Sequence, residues 1–298
     1  MLGGMIRTAK RFLHLAAVLA FAMPAVPARA DWREEIGTLR IGMVARPGAG
    51  RTVEGLSAIR TAYARAIGLP VEIFVARDYR ALIEAQASRR VHYAIYSAVA
   101  YAAARDYCHC VEPVASPLDA DGADGVRAVV LSRKGMTRSQ VKAAGVAAGP
   151  ESRLGVEELA LAELGSAALA RSETAARAED RFIAGEADML LGWEPATKGD
   201  PAKTGTLARL AARGVKASDV EILWSSPVLR YGPHAMLADL PLEPRLRLRK
   251  FLTGLRDRQP EIYRLLELER SGGFIAADDR DYATARALVA GIAGEASR

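Results

Sequence analysis

VEIFVARDYRALIEAQASRRVHYAIYSAVAYAAARDY, residues 71–107, is the stretch whose reading decides the fold. VEIFVA (71–76) is a short run of branched and aromatic apolar residues, the composition of a buried strand. Tyr79, Leu82 and Ile83 then recur at helical spacing, HYAIYS (92–97) returns to strand, and SAVAYAAARDY continues as a helix. Strand, helix, strand and helix at this spacing require a crossover connection, hence a parallel sheet. The pattern extends upstream. LRIGMV (39–44) is one more strand, ARPGAGRT a loop, and Leu56, Ile59, Tyr63 and Ile67 mark one face of a helix.

Downstream the rhythm changes and then restarts. CVEPVASP (110–117) and VRAVVLSR (126–133) are two extended runs around DADGADG, a turn segment of aspartate and glycine. A second alternating series follows: the strand GVAAG, a helix from Ser152, a helix near 174–184, the strand ADMLLGW, a short helix at 207–213 and the strand DVEILWSSP. HAMLADL reads as extended, and the remainder reads as helices to the end. The predicted fold class is therefore α/β: two α/β lobes with extended connectors between them and a ligand cleft between the lobes. The predicted organisation is 1–30 signal peptide, 31–117 first part of lobe 1, 118–225 lobe 2 with the hinge strands, and 226–298 completion of lobe 1 with C-terminal helices. Open α/β sheets bind ligands at the carboxyl ends of their strands, which points to the cleft.

The first thirty residues predict the compartment. Arg7, Lys10 and Arg11 precede an apolar run from Phe12 to Met23, and Ala28-Arg29-Ala30 closes it, the parts of a cleavable secretory signal. The run is short of the roughly 20 apolar residues a spanning helix needs. A periplasmic mature protein of about 268 residues is expected. The whole chain carries 41 Lys and Arg against 35 Asp and Glu; the first thirty residues hold four of the bases and no acid, leaving 37 against 35. A nearly neutral exported protein is a poor nucleic-acid binder, because phosphate neutralisation dominates that affinity. The basic run from Arg245 to Arg258 reads as the wet face of an amphipathic helix. Cys108-His109-Cys110 has soft ligands but no second ligand pair, so neither a metal nor a cofactor is expected. Cysteines this close seldom meet disulfide geometry, and a pairing within the chain or between chains stays open. The chain has no G-x-S-x-G, no H-E-x-x-H and no phosphate-cradling G-x-x-x-x-G-K, and neither His92 nor His109 is placed as a general base. The reading is not an enzyme.

Four segments carry a family likeness: 71–101, VASPLDADGADGVRAVVLSRKG (114–135), VEILWSSPVLRYGPHAMLADLP (220–241) and GGFIAADDRDYATAR (272–286). In this order they resemble the phosphate, phosphite and phosphonate-binding periplasmic proteins of ABC transporters. The resemblance implies a type II periplasmic binding protein, two lobes joined by two hinge strands, that closes over a small anionic ligand and offers it to an ABC permease in the inner membrane. It also implies an anion loop at Pro150-Glu151-Ser152-Arg153-Leu154-Gly155. There the family pattern has three hydroxyls, and this chain keeps Ser152 and substitutes Arg153 and Leu154. Where the family often has Ser-His, this chain has Ser172-Glu173. Tyr96 falls where the family has a tyrosine ending the third strand, and Glu194 lies near an acidic residue that some members use for a ligand amino group.

The physics of the candidate site starts from helix ends, whose first N–H groups lack intrahelical partners and carry partial positive charge. Ser152 either meets the ligand or caps its own helix; Arg153 offers paired donors suited to phosphate-like oxygens, or forms a surface ion pair. Glu151 beside it repels an anion unless it turns aside. Ser97 opens a second helix toward the cleft, with capping as the alternative. Tyr96, Trp193 and Glu194 follow strands and are candidate lining residues, with core packing the alternative for the aromatics. Arg46 in the first loop, and Ser226 and Tyr231 at the second hinge crossing, complete the candidates. The function read from this is a periplasmic solute-binding protein for a small oxyanion, acting as a monomer. The alternative is a periplasmic sensory or accessory module serving a membrane kinase or redox enzyme.

Overall fold

The computed structural model describes residues 31–45, 53–149, 160, 164–165, 169–197, 204–268 and 270–296. The predicted signal segment, Arg46, Glu151, Ser152 and Arg153 lie outside the described residues.

The chain begins with strands β1 (Leu39–Val44), β2 (Val71–Ala76), β3 (Tyr93–Ile95) and β4 (Val111–Leu118). It crosses to a second sheet and forms β5 (Gly125–Arg133), β6 (Val146–Ala148), β7 (Leu169–Arg171), β8 (Met189–Pro195), β9 (Val220–Ser225) and β10 (Leu229–Arg230). It then returns as β11 (His234–Leu237) and finishes the first sheet with β12 (Gly273–Ala276). The first sheet runs β2-β1-β3-β11-β4-β12; the second runs β7-β6-β8-β5-β10, with β9 also paired to β5. Both sheets follow one plan. A parallel trio has its earliest strand in the middle, β1 between β2 and β3 and β6 between β7 and β8. The next strand outward is antiparallel and has just arrived from the other sheet: β11 beside β3, β5 beside β8. The lobes are thus tied by two crossovers, Leu118 to Gly125 and Arg230 to His234. The sequence reading drew the return at 225/226; β10 pairs with β5 beyond that point.

Alternation along the first sheet explains its two cores. Leu39, Ile41, Met43 and Tyr93 face one side, where Ile59, Tyr63 and Ile67 of the helix Leu56–Ile67 cover them together with Leu248 and Leu252 of the helix Leu242–Thr253. Ala76 and Ala94 face the other, under the helices Tyr79–Ala87 and Ala98–Cys108. The small Gly42 lets the second layer approach: a Cβ there would lie 2.4 Å from Leu82 Cδ1. Both faces of the second sheet are also covered, with Val129, Leu131 and Leu190 against Phe182 on one side and Val130, Val146 and Met189 against Val141 on the other.

Three strands escaped the sequence reading. β12 lies where the tail was read as helices to the end; it pairs antiparallel with β4, so cross-strand pairing overrides a weak local signal. β7 and β10 have only three and two residues, too few to show a period of two. The cysteines also differ from the geometric reading: Cys108 and Cys110 form a disulfide, with Cα atoms 5.0 Å apart. His109 caps the preceding helix at φ 51°, and this left-handed residue folds the chain back so that the two sulfurs meet.

Candidate functional site: the cleft at the crossovers

β3 ends at Ile95, and Tyr96 and Ser97 turn the chain into the helix Ala98–Cys108. Ser97 is the N-cap, its Oγ accepting from the Ala100 N–H at 3.1 Å. The N–H groups of Ala98 and Val99 belong to the first turn and have no partner within the helix. The second crossover presses on this corner. Tyr96 N–H donates to the Pro233 carbonyl at 3.0 Å, and a Cβ on Gly232 would stand 2.0 Å from the Tyr96 carbonyl oxygen. Only glycine fits there, so the hinge rides directly over the helix start.

A cavity of about 470 Å³ opens at this point between the lobes. Its first-lobe wall includes Tyr79, Tyr96, Ser97 and Leu266, and its second-sheet wall Val126 of β5 and Leu229 of β10. Tyr231 and Arg270 close a side, the Arg270 guanidinium lying 4.0 Å from the Tyr231 ring centroid. The crossovers are clasped behind the cavity. Arg230 Nη1 donates to Asp124 at 2.8 Å and its Nε to Ser116 Oγ at 3.3 Å, with Asp281 3.6 Å away. Tyr231 donates to Asp119 at 3.2 Å; burial and that carboxylate push its phenol up to about 12.

The candidates from sequence divide accordingly. Tyr96, Ser97 and Tyr231 line this one cavity. Tyr96 is buried and donates its hydroxyl to Gln86 at 2.8 Å, so it offers the cavity its ring and backbone; burial raises its phenol well beyond the ordinary range. Trp193 instead borders a smaller cavity of about 130 Å³ in the second lobe, beside Gly149, Glu179 and Arg209. Glu194 serves the backbone: it accepts the Leu207 N–H at 2.6 Å at the start of the helix Thr206–Ala212, and burial raises its carboxyl above the usual value. Ser226 is likewise engaged, its Oγ accepting from the Ala128 N–H at 3.0 Å and donating to the Pro227 carbonyl at 2.8 Å. Sequence reasoning passed over Tyr79, Gly232, His234 and Arg270 as cleft residues. Tyr79 was findable, since it opens the helix after β2 as Ala98 does after β3. Arg270 carried no local signal, because a distant loop brings it in.

No group of three or more metal-ligating side chains occurs among the described residues, and no described helix is long and apolar enough to cross a membrane.

Two α/β lobes, crossed twice by the chain and opening a cleft at the strand ends, define a type II periplasmic-binding-protein fold. The family described as ABC transporter, phosphonate, periplasmic substrate-binding protein matches residues 41–282, and the chain belongs to that family. Its members are the substrate-binding components of transporters, working in the periplasm with a small ligand and a membrane permease. No curated protein sequence matches the chain. Among solved structures, a Xanthomonas citri protein with bound chloride is 14% identical, covering 88% of this chain and 99% of its own, at TM-score 0.54. Manduca sexta transferrin 1 is 11% identical, covering 86% of this chain and 46% of its own, at TM-score 0.56. The binding-protein component of an ABC phosphonate transporter from Pseudomonas aeruginosa is 20% identical over 84% of this chain and 85% of its own, at TM-score 0.45.

Proposed function

We propose that the protein is exported by its N-terminal signal, stays monomeric in the periplasm, and captures a small phosphonate-like oxyanion between its lobes for delivery to its permease. The observation that carries this reading is the start of the helix Ala98–Cys108, which opens into a cavity walled by both lobes. Unpaired N–H groups and the helix dipole favour an anion there. The family match from β1 to the C-terminal helix supports the same ligand class. From the second lobe, Ser152 and Arg153 meet the anion oxygens when the lobes close, the guanidinium supplying paired donors in place of the missing hydroxyls. Nothing in this scheme breaks a bond; the work is capture and release.

Calorimetry with methylphosphonate, phosphite, phosphate, sulfonates and carboxylates tests it. A dissociation constant in the micromolar range or below for at least one phosphorus oxyanion is expected, and Arg153→Ala should weaken it at least tenfold. Absence of binding by every anion would overturn the reading.

A further inference from the structure

The cleft is larger and more apolar than a bare oxyanion requires. A tetrahedral oxyanion of five heavy atoms fills the space of about two or three waters at roughly 30 Å³ each. The cavity of about 470 Å³ leaves most of its room beyond such an anion seated at Ser97. That remaining room is bounded by Ile95, Pro117, Val126, Leu229 and Leu266 and the Tyr79 and Tyr231 rings, together with Arg230, Glu267 and Arg270, whose charges are paired within the protein. Ile95 and Leu266 are shared with a second cavity of about 610 Å³, whose wall continues through Met43, Ile59 and Leu265. Glu54 is the one charged side chain among the described residues on that wall.

Among the described residues, the carboxylates at the crossovers and at Glu267 have partners within the protein. Asp124 and Asp281 flank Arg230, Asp119 accepts from Tyr231, and Glu267 pairs with Arg270 at 3.1 Å. In the second lobe Glu194 holds the Leu207 N–H, and the buried Glu179 accepts from Arg209 at 2.7 Å. A ligand ammonium at Asp124, Asp281 or Glu267 would compete with Arg230 or Arg270 for the carboxylate and weaken a half-buried ion pair, which is costly. An alkyl or aryl group meets no such obstacle and gains by leaving water.

From this we infer that the ligand is an organophosphonate with an uncharged apolar tail, its oxyanion at the Ala98–Cys108 helix start and its tail against Ile95, Val126, Leu229 and Leu266. The inference rests on the proposed function and adds to it the substrate class.

A calorimetric series on the full mature chain separates the two. Each methylene buried should tighten binding about fourfold, so propylphosphonate should bind about tenfold or more tightly than methylphosphonate, and phenylphosphonate more tightly as well. 2-Aminoethylphosphonate has the heavy-atom count of propylphosphonate, and should bind at least tenfold more weakly than it. Leu266→Ser, at a half-buried site, should erase most of the propyl advantage over methylphosphonate, with an unchanged far-UV circular dichroism spectrum and a cooperative melt reporting that the variant is folded. Methylphosphonate binding with no gain from the tail, or with a preference for the amine, would overturn this inference and leave the proposed function standing. Failure of every phosphonate to bind would overturn both.

Discussion

Lowering the pH from 7 to 5 should cost this fold about 2 kcal/mol through His234 alone. His234 begins β11 and is 2% exposed, with Phe274 of β12 edge-on to its ring at 4.8 Å. Its Nδ1 is hydrogen-bonded with the Tyr93 hydroxyl at 2.6 Å, and the Tyr63 hydroxyl lies 3.1 Å from that of Tyr93 and 3.3 Å from the same nitrogen. Burial pushes the imidazole down to about 3. An unfolded histidine titrates near 6.5. The unfolded chain therefore binds a proton that the native protein refuses. The stabilising effect is complete above about pH 6.5 and is lost as pH falls toward 3; between 7 and 5 the unfolded state gains about 2 kcal/mol. His92 acts in the same direction, lowered to about 4 by burial and by the Arg40 and Arg89 guanidiniums. His234→Gln keeps a hydrogen-bonding partner for Tyr93 but does not titrate. Denaturant unfolding of both proteins at pH 7 and 5 should show the wild type losing about 2 kcal/mol more than the variant. Carboxylate effects are common to both and cancel in that difference. Equal losses in the two proteins would refute the argument, as would an imidazole resonance of His234 that titrates near pH 6.

Three further outcomes follow from single contacts. Gly232→Ala places a methyl against the Tyr96 backbone, and overpacking of this kind costs about 1–3 kcal/mol or more; a melting temperature equal to wild type would show that the crossover has room to move. Glu194→Ala removes the acceptor for the Leu207 N–H and should cost about 1 kcal/mol, most of it regained in Glu194→Gln, as read by denaturant titration. Thiol titration of the unreduced protein should find no free cysteine. Reduction should destabilise by less than about 2 kcal/mol, since the Cys108–Cys110 loop is short and its closure removes little chain entropy.

Much of the architecture was legible because it rests on local periodicity. β1, β2 and β3 and the helices between them occupy the stretches where branched apolar runs alternate with helical spacing. The second series from 146 to 225 repeats the signal more weakly, and its weakest member, Leu169–Arg171, was missed. β12 was missed for a different reason. Gly273–Ala276 becomes a strand by pairing with residues 115–118 of β4, more than 150 positions away. Candidate site residues show the same division. Ser97 could be found because an N-cap after a strand is a local pattern. The engagement of Ser226 with Ala128 and of Glu194 with Leu207 could not, because a hydroxyl or carboxylate in a sequence does not reveal which backbone N–H it will meet.

By itself the sequence determined the alternating α/β order and the family likeness, with the export signal and the near-neutral charge of the mature chain as expectations. These depend on composition and on spacings of a few residues, which the chain carries whatever its tertiary contacts. Only the tertiary structure decided that Gly232 presses on Tyr96, that Arg230 clasps both crossovers, and that Tyr79, Tyr231 and Leu266 wall one cavity with Ser97. Those contacts join positions scores of residues apart, and their geometry is set when two sheets share one chain through two crossings.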